Sequence, residues 1–259
     1  MKISGKAASF RFLPNPDLSM PHRQLSFKEA CARLRIPEQI LRDAVKYGEV
    51  PCRKQGAEVV FKASELDAWA SARILSLSAK TLSPEHSAAT RMDVKNIRED
   101  ILLPQLLKLE YIDLDFRAKT RKSVIRDLVD AAEAHDLLCD PADMLAQLEA
   151  RENVSSTALP GGIALPHPHH PDPYLIMEPF MLVARARKPI WFGAEDDAPT
   201  DLFFLVCCGE NMSHLHVLAR LCMMIRDTEI TQKLREATSA TEALDALYAA
   251  ECEVLARLR

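Results

Sequence analysis

A histidine between two prolines is the residue in this sequence best placed to do chemistry. His167 lies between Pro166 and Pro168 in the segment LPGGIALPHPHH, and the prolines restrict the backbone on both sides of it. The two glycines remove side chains where the chain must bend or approach another group closely. The alternation of Ile163 and Leu165 predicts a strand that Pro166 ends. We therefore expect an exposed imidazole at a strand end, largely neutral near pH 7, with a lone pair to act as a nucleophile.

A second histidine is placed by helical spacing in the segment SHLHVLARL. His214 shares a helix face with Leu218 and Leu221, so it extends a buried apolar stripe. His216 lies about 200° away around the same helix and is expected to point outward. Ser213 can cap this helix, whose first amides attract an anion and disfavour protonation of His214.

An arginine near the end of the preceding predicted helix completes the set. Asp140 and Pro141 mark the start of that helix, which is expected to run towards Arg151. The guanidinium can bind phosphate oxygens. A nitrogen nucleophile, an arginine and a helix N-terminus supply the positioning and the positive charge that phosphoryl transfer needs.

The same residues have less specific explanations. His167 can be a loop histidine, and His214 can be a buried residue without a role. Imidazoles bind zinc, so a site made by His167, His169 and His214 is conceivable, but the sequence offers no cysteine or carboxylate ligands at suitable spacing. We therefore predict no metal site, and we predict no cofactor.

Strands alternate with helices around these residues. Residues 112–116 alternate apolar and acidic side chains as a half-buried strand does, and an amphipathic helix follows. Residues 181–184 and 202–206 have the composition of short buried strands, and helices are expected from about residues 213, 229 and 240. This order predicts an α/β fold.

Several motifs follow one another in this region: ARE at 150–152, ST at 156–157, GIALPH at 162–167, PIWFGA at 189–194, Asp197, DLFFL at 201–205, HL at 214–215 and LARL at 218–221. They resemble the enzyme IIA domain of the phosphoenolpyruvate-dependent sugar phosphotransferase system, of the fructose/mannitol or nitrogen-related type, over about residues 100–255. The resemblance implies a mixed sheet flanked by helices. It also implies a histidine that accepts a phosphoryl group from the small histidine phosphocarrier protein and passes it on.

By this correspondence His167 is the acceptor, and His214 and Arg151 support it. One difference from the family pattern concerns the residue after the acceptor. Family members usually have a small residue there, whereas this chain has Pro168. The resemblance therefore leaves open altered donor docking or a loss of phosphorylation.

The N-terminal part contains the signals of a small helical module with a hairpin. Ser26 and Glu29 form a capping box, and Pro37 suits the first turn of a second helix. Gly48 lies at the expected C-terminal cap of that helix, where the residue adopts a left-handed backbone conformation. A turn at Gly56 indicates a hairpin before a third helix from about residue 64.

Three segments, SFKEA at 26–30, VKYGEVP at 45–51 and FKASELDAW at 61–69, resemble the excisionase-type winged helix–turn–helix domain. That resemblance implies that the second helix enters the DNA major groove while the wing contacts the backbone. The implied base-facing residues are Gln39, Arg42 and Lys46, and the implied phosphate contacts are Arg53 and Lys54. Glu38 and Asp43 on the same surface oppose DNA binding, and a docking module with a solvated helix is the alternative.

Charge divides the 259-residue chain into two parts. Residues 1–75 hold 13 Lys+Arg and 8 Asp+Glu, a net charge of +5, whereas residues 76–259 have a net charge of −9. A small, polar segment with one proline separates them. We therefore predict a winged helix–turn–helix head over residues 1–75, a linker over 76–95 and an enzyme IIA-like body over 96–259.

Composition restricts where the protein works. No stretch is apolar enough to span a membrane, and no secretory signal is visible. Seven scattered cysteines without C-x-x-C spacing indicate reduced thiols, so a cytoplasmic location is expected.

Three functions remain open from the sequence. The favoured one is a regulator in which a phosphorylated enzyme IIA-like body, labelled by the phosphocarrier protein, controls a DNA-binding head, with a homodimer possible. The second is a metabolic phosphocarrier for sugar transport whose head is a docking module. The third is an interaction protein that is not phosphorylated.

Overall fold

A computed structural model describes residues 23–34, 36–56, 58–79 and 102–258. Predictions about residues 1–22 and about most of the linker lie outside the described residues. The described elements of the head are β1 (Gln24–Ser26), α1 (Phe27–Leu34), α2 (Glu38–Lys46), β2 (Arg53–Gln55), β3 (Glu58–Lys62) and α3 (Ala63–Ala79).

Local signals in the head form as the sequence predicts. The Ser26 hydroxyl accepts from the amide of Glu29 at 3.4 Å, and the Glu29 carboxylate accepts from the amide of Ser26 at 2.9 Å, which completes the capping box. Gly48 has a φ of +72°, just beyond α2, and Gly56 has a φ of +65° in the turn between β2 and β3. β3 lies between β1 and β2 in an antiparallel sheet.

Helix boundaries in the head differ slightly from the sequence expectation. Pro37 is the N-cap of α2 rather than its first helical residue. Helix α3 runs to Ala79, so it continues four residues into the segment predicted as linker. The domain boundaries themselves stay a prediction.

The elements of the body begin after residue 101. They are α4 (Leu103–Leu106), a 3₁₀ turn (Leu109–Tyr111), β4 (Ile112–Phe116), α5 (Arg121–Ala134), α6 (Pro141–Val154), β5 (Ala158–Leu159), β6 (Ile163–Ala164), β7 (Phe180–Ile190), β8 (Thr200–Cys207), α7 (Asn211–Asp227), α8 (Ile230–Glu236) and α9 (Ala240–Leu258). Among the described residues, no helix has the length and hydropathy required to cross a bilayer.

The body has one five-stranded mixed sheet in the order β4-β7-β8-β6-β5. β7 runs antiparallel to β8, whereas β4 is parallel to β7 and β6 is parallel to β8. The central strand β8 is almost wholly buried, which explains its nearly continuous apolar sequence. The predicted mixed sheet flanked by helices is therefore confirmed.

The start of α7 corrects one sequence prediction. Glu210 is the N-cap and makes no side-chain capping bond, so the prediction that Ser213 caps this helix is wrong. The N-cap lies three residues earlier than predicted, close to one helical turn, and His214 is the fourth residue of the helix. The apolar face predicted for this helix is present, because Leu218 and Leu221 are buried together with His214.

Gly162 brings the backbone of the glycine pair against an ion pair. Its φ is +81°, and an added Cβ would lie 2.8 Å from Arg235 Nη2 and 3.0 Å from Asp201 Oδ1. Arg235 binds the Asp201 carboxylate through Nε at 2.8 Å and Nη2 at 2.7 Å. The predicted close approach is confirmed, and the group approached is this ion pair.

A buried ion pair holds α7 in the body. Arg220 Nη1 donates to Glu251 on α9 at 3.0 Å, and both side chains are at most 1% exposed. The Glu251 carboxylate also accepts from the amides of Leu102 and Leu103. Helix α7, which contains His214, is thereby fixed to α9 and to the segment before α4.

Glu251→Ala is expected to lower the free energy of unfolding by about 3–5 kcal/mol, because it leaves the buried Arg220 charge without its carboxylate. Urea unfolding of the full chain measures the change. Glu253→Ala is the matched control on the same helix, since it removes only a half-exposed pair with Arg257 and should cost less than about 1 kcal/mol. Equal losses for the two variants would contradict the assignment.

Candidate functional site

His167 follows β6 and is buried, with 2% of its surface exposed. The expectation of an exposed imidazole at a strand end is therefore wrong, because Arg151 from α6 and His214 from α7 lie against the ring. The loop contains no cis peptide bond. The Nδ1 atom lies 2.8 Å from the carbonyl oxygen of Leu165. A carbonyl can only accept, so Nδ1 bears the proton and Nε2 has the lone pair.

Arg151 lies in the last turn of α6 and points at that lone pair. Its Nε donates to His167 Nε2 at 3.0 Å, and its Nη1 donates to the carbonyl oxygen of Ser155 at 3.0 Å. Its Nη2 is buried and has no hydrogen-bond partner. The N–H donors of Nη2 therefore remain available to an acceptor that binds beside His167.

His214 lies on the other helix at the site. Its ring centroid is 5.0 Å from that of His167, and the residue is 1% exposed. Neither of its ring nitrogens has a hydrogen-bond partner. The structure therefore brings together all three residues that the sequence predicted for the acceptor site.

Both imidazoles are held neutral. Burial lowers the pKa of His167 well below its usual value, and the electrostatic interactions with His214 and Arg151 act in the same direction. Burial, followed by the charge of Arg151, lowers the pKa of His214 to about 3. At neutral pH His167 keeps its nucleophilic lone pair, and His214 can donate one hydrogen bond.

The sequence analysis included Glu152 in the ARE motif but gave no role to its carboxylate, which fixes the end of α6. Glu152 is 4% exposed, and it accepts from the amide and hydroxyl of Thr157, the latter at 2.7 Å. Arg121 donates to the same carboxylate at 2.8 Å. These bonds hold the loop that supplies Ser155 to Arg151. The signal available in the sequence was the acidic residue directly after Arg151.

The unpartnered nitrogens identify what the site is able to bind. A buried polar group without a partner costs free energy, and most such groups in folded proteins are satisfied. Here the unpartnered atoms are Nη2 of Arg151 and both ring nitrogens of His214, and all lie beside His167. An anion with several acceptor oxygens, such as a phosphoryl group, would accept from Nη2 of Arg151 and from the one protonated ring nitrogen of His214. Within the described part of the chain, no group of three or more His, Cys, Asp or Glu residues could hold a metal ion.

The other histidines of the two motifs lie at intermediate depth. His169 and His170 are of intermediate exposure, and their ring centroids are 4.2 Å apart. His216 is partly exposed, as its helical position predicted.

The head residues predicted to bind DNA lie on α2 and β2, away from the elements that build the histidine site. Gln39 and Arg42 on α2 bond to acidic neighbours on the same helix: Gln39 donates to Asp43 at 3.0 Å, and Arg42 pairs with Glu38 at 3.2 Å. The remaining predicted contacts are exposed: Lys46, Arg53 and Lys54.

The body matches known proteins. Residues 105–250 match the family described as phosphoenolpyruvate-dependent sugar phosphotransferase system, EIIA 2. The chain is 33% identical over 127 residues to a nitrogen regulatory protein of Bradyrhizobium diazoefficiens, covering 48% of this chain and 80% of the relative. It is 30% identical over 141 residues to a fructose-specific EIIA component of Haloferax volcanii, covering 54% and 90% respectively.

A solved structure shows the same fold. Nitrogen regulatory protein IIA-Ntr from Neisseria meningitidis is 28% identical and superposes with a TM-score of 0.51. The superposition covers 57% of this chain and 99% of that protein.

The free energy of unfolding is expected to fall as the pH is lowered from about 7 to about 4. Unfolded histidines take up a proton near pH 6.5, whereas the folded protein holds the pKa of His214 at about 3 and that of His167 well below 6.5. The unfolded chain binds more protons in this window, so each histidine lowers stability by about 1.4 kcal/mol per pH unit. Urea unfolding at a series of pH values measures the slope, and His214→Gln should flatten it. Parallel profiles for the two proteins would contradict the assignment.

Proposed function

The chain belongs to the phosphoenolpyruvate-dependent sugar phosphotransferase system EIIA 2 family, and on that basis we propose that His167 accepts a phosphoryl group from a phosphohistidine donor protein, the histidine phosphocarrier. The convergence of Arg151, His167 and His214, with three buried nitrogen atoms unpartnered beside the acceptor ring, is the observation that supports this function.

The transfer step uses the protonation state set by the Leu165 carbonyl. The Nε2 lone pair of His167 forms the new N–P bond while the donor's N–P bond breaks and leaves its electron pair on the donor nitrogen. The proton on Nδ1 stays in place against Leu165. Arg151 gives up its bond to Nε2 and turns its donors to the phosphoryl oxygens, and His214 donates one further bond.

We propose further that this site controls a DNA-binding head in the cytoplasm. The head presents Lys46, Arg53 and Lys54 to solvent, as a surface for DNA phosphates requires. A phosphoryl group adds up to about two negative charges to the body, enough to bias the contact between two parts of one chain. Pro168 replaces the small residue usual in the family, and we infer that it alters donor docking without removing the acceptor.

A sugar-transport phosphocarrier is the second candidate function. It is favoured by the similarity to the fructose-specific EIIA component of Haloferax volcanii, of which this chain covers 90%. In that case the head serves only for docking. Absence of DNA binding at low salt together with rapid phosphoryl exchange would favour this candidate over the regulator.

Phosphorylation is expected at one site. Incubation with phosphoenolpyruvate, enzyme I and the phosphocarrier should add the mass of one phosphoryl group, measured on the intact protein. His167→Ala should add none, and His214→Gln and Arg151→Lys should slow labelling by at least about tenfold because each removes a donor to the transferred group. His216→Gln is the control on the same helix as His214 and should label at the wild-type rate. Labelling of His167→Ala would overturn the assignment of the acceptor.

Substitutions at two places on the surface of the head are expected to change the affinity for DNA in opposite directions. Arg53→Ala with Lys54→Ala should weaken binding and reduce its salt dependence, because two phosphate contacts are lost. Glu38→Gln should strengthen binding, since it removes a negative charge from α2 and releases Arg42. Fluorescence anisotropy with genomic fragments at several salt concentrations measures both. Identical affinities for the three proteins would contradict the predicted DNA surface.

A further inference from the structure

The head and the body share a packed interface at the helix that contains His214. Helix α3 packs along α7. Leu215, the residue after His214, is 7% exposed and belongs to the apolar core of the head. In return, Leu75 on α3 belongs to the core of the body, and Ile74 packs against both cores. The head is therefore fixed directly beside one of the two imidazoles.

The head also approaches the segment that contains the acceptor. His169 has a lowered pKa, caused first by burial, then by the charges of Arg151 and Lys62, while Asp67 acts in the opposite direction. Lys62 ends β3, and Asp67 lies in the first turns of α3. Arg33 holds the Asp67 carboxylate through two hydrogen bonds of 2.8 and 2.7 Å. The head thus places both charges close to the histidine segment.

A cavity of about 380 Å³ lies between α3 and Arg151. The head contributes Ala72, Leu75 and Ser76 to its wall, and the body contributes Arg151, Ser155 and Glu195 among others. The Arg151 side chain that lines this space has the unpartnered Nη2. Arg151, whose Nε donates to His167, therefore lies in the wall of a cavity to which α3 also contributes.

From these contacts we propose that α3 is a removable cover over the phosphoryl site, so that docking of the head on α7 and phosphorylation of His167 exclude each other. The inference rests on the proposed function, and it names the head as the element that controls access to His167.

The covered site does not admit a protein donor. Phosphoryl transfer requires the reacting atoms to come within about 3–3.5 Å in line. His167, His214 and Arg151 are each at most 2% exposed. A phosphocarrier therefore reaches Nε2 only after α3 has left the site.

The phosphorylated site disfavours the docked head. Burying a phosphoryl group removes its charges from water, which costs free energy that Arg151 and His214 offset only in part. The head's own charges near this segment balance, because Lys62 and Arg33 offset the Asp67 carboxylate, so the exclusion of water by the docked head is the main cost. Release of α3 hydrates the new group. Because the coupling is reciprocal, any partner that holds the head away from the body promotes phosphorylation, and phosphorylation promotes binding of that partner.

Opening the interface is expected to speed phosphorylation. Ile74→Asp places a carboxylate between the two cores, and Leu215→Asp does the same from α7. Each full-length variant should be labelled by the phosphocarrier at least about fivefold faster than the wild type. Tyr47→Asp is the matched control, a large apolar residue replaced by aspartate at a head position that is 68% exposed. Circular dichroism confirms that each variant is folded.

A second readout does not depend on a protein donor. Diethyl pyrocarbonate acylates neutral imidazoles, and peptide mass spectrometry locates the product. His167 should react faster in Ile74→Asp than in the wild type and in Tyr47→Asp. Amide hydrogen exchange of α3 should also rise when the wild type is phosphorylated, and it should not change in His167→Ala treated with the same donor.

The outcomes separate this inference from the proposed function. Equal labelling rates in the wild type and both interface variants would overturn the cover, as would equal acylation of His167. Failure of every form to accept phosphate would instead overturn the proposed function. In that case faster acylation in Ile74→Asp would still establish α3 as the cover and would leave it without a role in phosphoryl transfer.

Discussion

A neutral imidazole held beside a buried guanidinium is the constraint on which the rest of this structure depends. Arg151 donates to Nε2 of His167, and the Leu165 carbonyl holds the proton on Nδ1, so one tautomer is selected and its lone pair points at a positive charge. Burial keeps the ring uncharged. A protonated ring would repel Arg151 and would have no lone pair to offer, so nucleophilicity and local stability require the same protonation state.

Much of the surrounding fold maintains that geometry. Glu152 fixes the end of α6 and the loop that contacts Arg151. The Arg220–Glu251 pair ties α7 to α9, and it thereby fixes the helix that contains His214 at a point six residues further along the chain. Gly162 allows the strand before the acceptor to lie against the Asp201–Arg235 pair. Each contact constrains an element that supplies one side chain to the site.

The contact between head and body joins the two parts of the chain through shared core residues. The apolar face of α3 is completed by Leu215 of the body, and the body core is completed by Leu75 of the head. Because each module contributes a residue to the core of the other, a substitution in either core affects the packing of both.

The sequence by itself determined the elements whose causes are local. The capping box at Ser26, the helix start at Asp140 and the left-handed Gly48 depend on neighbours in the chain, and the structure has them as predicted. The mixed sheet and the convergence of Arg151, His167 and His214 followed from resemblance and helical spacing. Only the tertiary structure decided that His167 is buried, that Glu152 fixes the loop that contacts Arg151 and that α3 packs along α7, which contains His214. Those features depend on contacts between residues far apart in the chain, and no local pattern encodes which surfaces meet.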